Sequence, residues 1–163
     1  MQDFNDYMKL TRGYLRDYRK MEARIKAWAQ EKADLLRELS DVPVAISRYG
    51  GEPGGGSGDM NVVERQADNR IKLESRCKEI DDDTAELKRL MTKIENAVSS
   101  LEPETCQLVW DHYVDGVAWY GIADRLYLSS DCVRKRGQRA LADIADILFG
   151  RKAQPYKPVV LIA

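Results

Sequence analysis

Leu73, Ile80, Leu87, Ile94 and Leu101 recur at intervals of seven residues, and Cys77, Thr84, Met91 and Val98 sit four residues after the first four of them. Apolar residues in alternating steps of four and three hold one stripe on one face of a helix. The spacing predicts a single helix from about residue 60 to 99, with a weaker start to its seam at Val63. A matching pattern precedes it. Phe4, Tyr7, Thr11, Tyr14, Tyr18, Met21, Ile25, Trp28, Lys32, Leu35 and Leu39 follow the same steps. No proline interrupts Phe4 to Asp41, and Gly13 is the only glycine there. This predicts a first helix about 55 Å long, at roughly 1.5 Å of rise per residue.

Between the two lies a break. Val42-Pro43 ends the first helix, and residues 47–59, SRYGGEPGGGSGD, read as a glycine-rich flexible loop. It is a connector, or else a surface ordered by a partner. It lacks the Lys-Ser/Thr pair with which a phosphate-binding loop holds phosphate and magnesium. Two helices of similar length around such a loop form an antiparallel, coiled-coil-like hairpin over residues 1–100. Thr11, Lys32, Cys77 and Thr84 dilute both seams. Each seam has two candidate partners, the other helix of the chain or another copy of the protein. A hairpin buried only on itself leaves Tyr14, Tyr18 and Trp28 partly exposed, so a homo-oligomer through the long helices is expected. The alternative is a monomeric hairpin capped by the C-terminal domain.

Residues 101–163 read differently. Pro103 flanked by Glu102 and Glu104 suits a helix start. Leu108, Val109, Tyr113 and Val114 mark the core side of a helix that ends near Asp115, with Gly116 as its stop. A helix over about 118–126 turns Ile122, Ala123 and Leu126 inward. Tyr127-Leu128 is a turn. A last helix over about 130–148 turns Val133, Ala140, Leu141, Ile144 and Leu148 inward. Two short helices joined by a tight turn make a helix-turn-helix domain over 101–150, followed by an irregular tail over 151–163 that docks through Val159 to Ile162. The expected fold class is all-α.

Charge supports this only locally. Charged residues are 33% of the 163, yet the formal net charge is −1. Val133 to Leu141 carries four positive side chains and no carboxylate. Any affinity for nucleic acid must come from that face, and from more than one copy of it. In a helix-turn-helix the second helix enters the major groove and its N-terminal residues meet base edges. With Val133 inward, Ser130, Asp131, Arg134, Lys135 and Gln138 point outward. Arg134 suits a guanine edge, and Asp131 suits a cytosine amine or a brace for Arg134. Arg136 and Arg139, at the flank, suit phosphate oxygens. Ser129 or Ser130 caps the helix and offers a hydroxyl. The expected partner is double-stranded DNA.

Other chemistry is thinly supplied. Cys77, Cys106 and Cys132 are far apart and form no C-x-x-C or Cys/His cluster. No disulfide framework, metal site or cofactor is expected. His112, the sole histidine, has a surface or packing role, and Asp81-Asp82-Asp83 is a solvated face. The chain is not expected to be an enzyme. MQDFNDYMKL has no apolar signal core, and no stretch approaches the ~20 apolar residues of a membrane span. A reducing cytoplasm is the expected setting, with no membrane partner.

The stretch LEPETCQLVWDHYVDGVAWYGIADRLYLSSDCVRKRGQRALADI resembles region 4 of bacterial sigma factors, which reads the −35 promoter element. The "VAWYGIADRL" aromatic and the "S-x-x-x-V-x-x-x-x-x-R-A-L" run are similar to phage transcriptional regulators of the RinA and ArpU type. The resemblance implies promoter-region DNA binding, with Ser130, Asp131, Arg134 and Lys135 at base-reading positions and Arg136 and Arg139 at phosphate positions. It implies RNA polymerase as a further candidate partner. Three positions depart from the family pattern. Ala118 replaces the usual Ser or Thr and Gly121 the usual Glu, which removes a capping box. Tyr127 replaces Gly or Asn, which adds strain of about 1 kcal/mol if φ is positive there. The segments by which sigma factors bind core polymerase and the −10 element are not evident. Two other roles suit the same layout. One is a small terminase subunit in phage genome packaging. The other is an interaction protein that binds polymerase or a sigma factor without reading DNA.

Overall fold

The computed structural model describes residues 4–41 and 59–153. The order is α1 (Phe4–Asp41), α2 (Asp59–Ser99), α3 (Pro103–Val109), a π-helical turn (Trp110–Val114), α4 (Trp119–Leu126), α5 (Ser130–Phe149) and a 3₁₀ turn (Gly150–Ala153). The protein is all-α. Residues 47–58 of the expected glycine-rich loop and the tail from 154, with its Val159–Ile162 segment, lie outside the described residues. Among the described residues no helix is long and apolar enough to cross a membrane.

Two units can be distinguished, one within Met1–Glu22 and Lys88–Ala163 and the other within Ala23–Leu87. The division falls across α1 and α2. The first unit therefore takes in the start of α1 and the end of α2 together with all of 101–153.

In the 23–87 unit, Leu73, Cys77 and Ile80 are buried on α2, while Ile25, Trp28, Lys32, Leu35 and Leu39 are half-buried on α1. Lys32 lays its stem along this seam and carries its Nζ to Asp81, 2.5 Å away. Arg76 reaches Glu31 at 2.8 Å. Both heptads thus face inward, and the residue that interrupts one of them is accommodated by an exposed ion pair. Val63, taken as the weak start of the second seam, is exposed. The seam begins at Leu73.

In the other unit, α1 contributes Leu15, Tyr18 and Met21 to the core, and α2 contributes Met91, Ile94, Ala97 and Val98. Leu15 falls between the steps of the strict seam, so the buried stripe is wider than a coiled-coil stripe. Thr11 is fully buried and satisfied, its hydroxyl donating to the Tyr7 carbonyl at 2.8 Å. Tyr18 packs edge-on against Trp110, centroids 4.9 Å apart, and its hydroxyl donates to Glu95. Burial first, and the Glu95 carboxylate second, push the Tyr18 phenol well above its ordinary value. Tyr7 and Tyr14 cover Phe149 at 5.0 and 6.3 Å. Tyr18 is thereby buried, which removes its exposure as a ground for expecting a second copy, while Tyr14 stays half-buried beside Phe149. Rings from α5 and the π turn meet them within the same chain.

The C-terminal helices follow the expected order with one change of register. The helix expected to run to Asp115 widens after Val109, and the Asp115 N–H donates to the Trp110 carbonyl, five residues back, at 3.0 Å. Gly116 then turns the chain at φ +75°. Ala118 provides no side-chain cap for α4. Other contacts hold that helix. Arg125 pairs with the buried Asp111, which also accepts from Gln107 at 2.7 Å. Trp119 stacks on His112 at 3.4 Å.

Tyr127 closes α4 in the left-handed region, φ 54° and ψ 38°, and the Leu128 N–H returns to the Ala123 carbonyl at 3.0 Å. Its side chain is 96% exposed. The ring therefore contributes no packing, and the backbone carries the full penalty of a Cβ at positive φ. Tyr127→Gly is expected to stabilise the protein by about 1 kcal/mol. Thermal denaturation should show a Tm rise of about 2–4 °C. A fall in Tm would show that the turn stores no strain at this residue.

Candidate nucleic-acid interface

The candidate interface is centred on α5. Ser129 caps the helix, its Oγ accepting from the Cys132 N–H at 3.2 Å, which leaves Ser130 as the first helical residue. Inward, α5 presents Val133, Gly137, Ala140, Leu141, Ile144 and Ala145, all buried. Opposite this face, Ser130, Asp131, Arg134, Lys135, Gln138 and Arg139 are exposed. The 3.6-residue period alone separates the two sets.

Gly137 explains how α5 sits so close to its support. A Cβ on it would lie 2.4 Å from Trp119 Cη2 and 2.9 Å from Cζ3. The indole is itself fixed by stacking on His112 and by an edge contact to Tyr113 at 5.8 Å. The imidazole is oriented by its Nδ1, which donates to the Val117 carbonyl at 2.8 Å. His112 thus acts in packing, as expected, and the chain Val117–His112–Trp119–Gly137 sets the position of the exposed basic residues.

Asp131 lies between two cations. Arg134 reaches it at 2.7 Å and Lys135 at 2.8 Å. Hydrogen bonds from Lys135 first and Arg134 second hold its carboxyl below the usual aspartate value. The trio has a net single positive charge and pre-orients Arg134. Arg139 has no ion-pair partner among the described residues.

Arg136 is placed differently from its basic neighbours. Its guanidinium donates to Thr105 Oγ1 at 2.8 Å, to Glu104 at 3.0 Å and to Glu102 at 3.2 Å. Only 28% of the side chain is exposed. The two carboxylates beside Pro103, which suit a helix start, also hold this arginine against the beginning of α3. A phosphate would have to compete with both.

Residues that sequence reading left out complete the surroundings. A cleft of ≈ 440 Å³ is lined by Arg12, Arg16, His112, Trp119, Arg134 and Gln138 among others. Arg12 and Arg16 come from α1, more than a hundred residues away, and no local pattern links them to α5. Among the described residues no group of three or more His, Cys, Asp or Glu side chains could hold a metal ion. No family model, curated protein or solved structure matches this chain, so assignment rests on its residues and their geometry.

Proposed function

We propose that the chain is a sequence-specific DNA-binding transcription regulator that acts at promoter regions, as phage regulators of the RinA and ArpU type do, with RNA polymerase as a second partner. The observation that carries this reading is the division of α5. Val133, Gly137 and Ala140 hold one face in the core, while Ser130, Asp131, Arg134, Lys135 and Gln138 stand exposed directly after a tight turn. A helix so mounted presents its first turns to a major groove. Arg134, braced by Asp131, suits a bidentate contact to guanine, and Gln138 one to adenine. Arg139 and the Ser130 hydroxyl suit phosphate oxygens. Arg136 serves as a brace within the fold.

One copy is electrostatically weak, since the chain's net charge is −1. We infer that two or more copies act together through the 23–87 unit. Leu36, Val62, Val63 and Ile71 are exposed there, and Trp28 is only half-buried. One experiment tests both statements, namely selection of bound duplexes from a randomised pool by the full chain. The expected result is an enriched sequence with two half-sites about one helical turn, or a multiple of it, apart. Absence of any enriched sequence sinks the DNA-reading assignment. A single half-site sinks the paired-copy inference alone.

A further inference from the structure

The cleft beside α5 joins a helix that no helix-turn-helix requires. Its lining includes three arginines, Arg12 and Arg16 from α1 and Arg134 from α5, and no carboxylate. The stacked rings of His112 and Trp119 are part of the same lining. Arg12 has no ion-pair partner among the described residues. Among the described residues Arg16 has one ion-pair partner, the adjacent Asp17, 3.7 Å away, and 72% of the Arg16 side chain is exposed. Arg134 already pairs with Asp131 at 2.7 Å, so the attraction of the cleft for an anion comes from Arg12 and Arg16.

The position of α1 is also fixed. Arg12, Arg16 and Arg19 recur at helical spacing and share a face. Arg19 Nε donates to Asp115 at 3.1 Å, just beyond the π turn. That contact holds the stripe against the residues that carry Trp119 and leaves its other two members facing the cleft. Arg12 and Arg16 are one turn apart, about 6 Å along the axis, and each presents a planar fork suited to phosphate oxygens.

We propose that this cleft holds backbone phosphates of the DNA duplex whose groove receives α5, with Arg12 and Arg16 as the contacting groups and Arg134 at the boundary between phosphate and base contacts. This inference rests on the DNA-binding reading above and extends the interface to a second, distant segment of the chain. Such contacts add affinity without adding sequence preference. They gather positive charge beside α5 in a chain whose net charge is −1.

The test compares the full chain with an Arg12→Gln, Arg16→Gln double variant. Both side chains are exposed, so helicity and Tm should be unchanged. Affinities for the selected duplex and for a scrambled one are measured across a salt series. The expected result is a loss of roughly tenfold or more at 0.1 M salt for both duplexes alike, and a slope of log K against log salt that is shallower by about 2. An unchanged slope overturns the cleft proposal while the wild type's sequence preference keeps the α5 reading. Failure of the wild type to bind any duplex overturns both. Loss of discrimination with scrambled-duplex affinity intact would make the arginines base contacts and overturn the phosphate assignment. Saturable binding of inorganic phosphate or ATP that the variant loses, with duplex affinity unchanged, would make the cleft a small-anion site and overturn it equally.

Discussion

Gly137→Val is expected to destabilise the unit containing α3 to α5 by about 3 kcal/mol or more, at the upper end of the cost of overpacking a filled core. The first atom added already meets Trp119 at 2.4 and 2.9 Å and Leu108 Cδ2 at 3.3 Å. The indole cannot swing aside cheaply, because it is stacked on His112 at 3.4 Å with 21° between the planes. Relief must come from α5 moving away from α3 and α4. Thermal denaturation should register a Tm lower by about 6–12 °C. Gly13→Ala is the matched control. Nothing lies within 4 Å of a Cβ there. Helix propensity alone should then stabilise the protein, by about 1 kcal/mol. If both substitutions shift Tm in the same direction, the contact with Trp119 does not decide how closely α5 packs.

This glycine also shows where sequence reading stops. Within V-R-K-R-G-Q-R it looks like a weak point in a helix, and only the ring arriving from position 119 gives it a reason. The seams were legible because burial follows their period, and Leu73, Cys77, Ile80, Met91, Ile94 and Val98 are all buried. Leu15 was not, because steps of three and four pass through Tyr14 and Tyr18 and skip it. The rings that meet those two tyrosines, Phe149 and Trp110, belong to distant segments, so Tyr18 is buried within the chain and Tyr14 half-buried. The π turn shifts the register by one residue and carries no compositional mark. Tyr127 is the opposite case. A bulky residue where a turn needs positive φ stands out in the sequence, and φ there is 54°.

The basic run shows the same division between pattern and placement. Arg134, Lys135, Arg136 and Arg139 are alike in composition and differ in azimuth. Arg136 lies next to the buried stripe and meets Glu102, Glu104 and Thr105. The others lie on the exposed side. Arg12 and Arg16 join that side from α1, so the positive surface around α5 is larger than the helix itself. A count of charges along the chain could not reveal this, because the contributing segments are near neutral taken one by one.

Arg134→Ala with Lys135→Ala is expected to abolish preference for the selected duplex while leaving helicity and Tm unchanged. Both side chains are more than half exposed, and their ion-pair partner is Asp131, itself exposed. Their removal leaves no cavity. Asp131 stays solvated in the first turn of α5, where a carboxylate is favourable on its own. Binding responds differently. A bidentate arginine contact discriminates its base by about 1–3 kcal/mol, or roughly 5- to 150-fold. Loss of Arg134 should bring the selected duplex close to the affinity of a scrambled one. Loss of Lys135 lowers both and makes the salt slope shallower by about 1. Footprinting and a salt series on the same protein separate these effects. The contrast with the α1 pair is diagnostic, since removing Arg12 and Arg16 should weaken both duplexes equally and keep the footprint's sequence. A double variant at 134 and 135 that still protects the selected site at wild-type affinity would show that α5 does not read the groove, however well the helix is mounted.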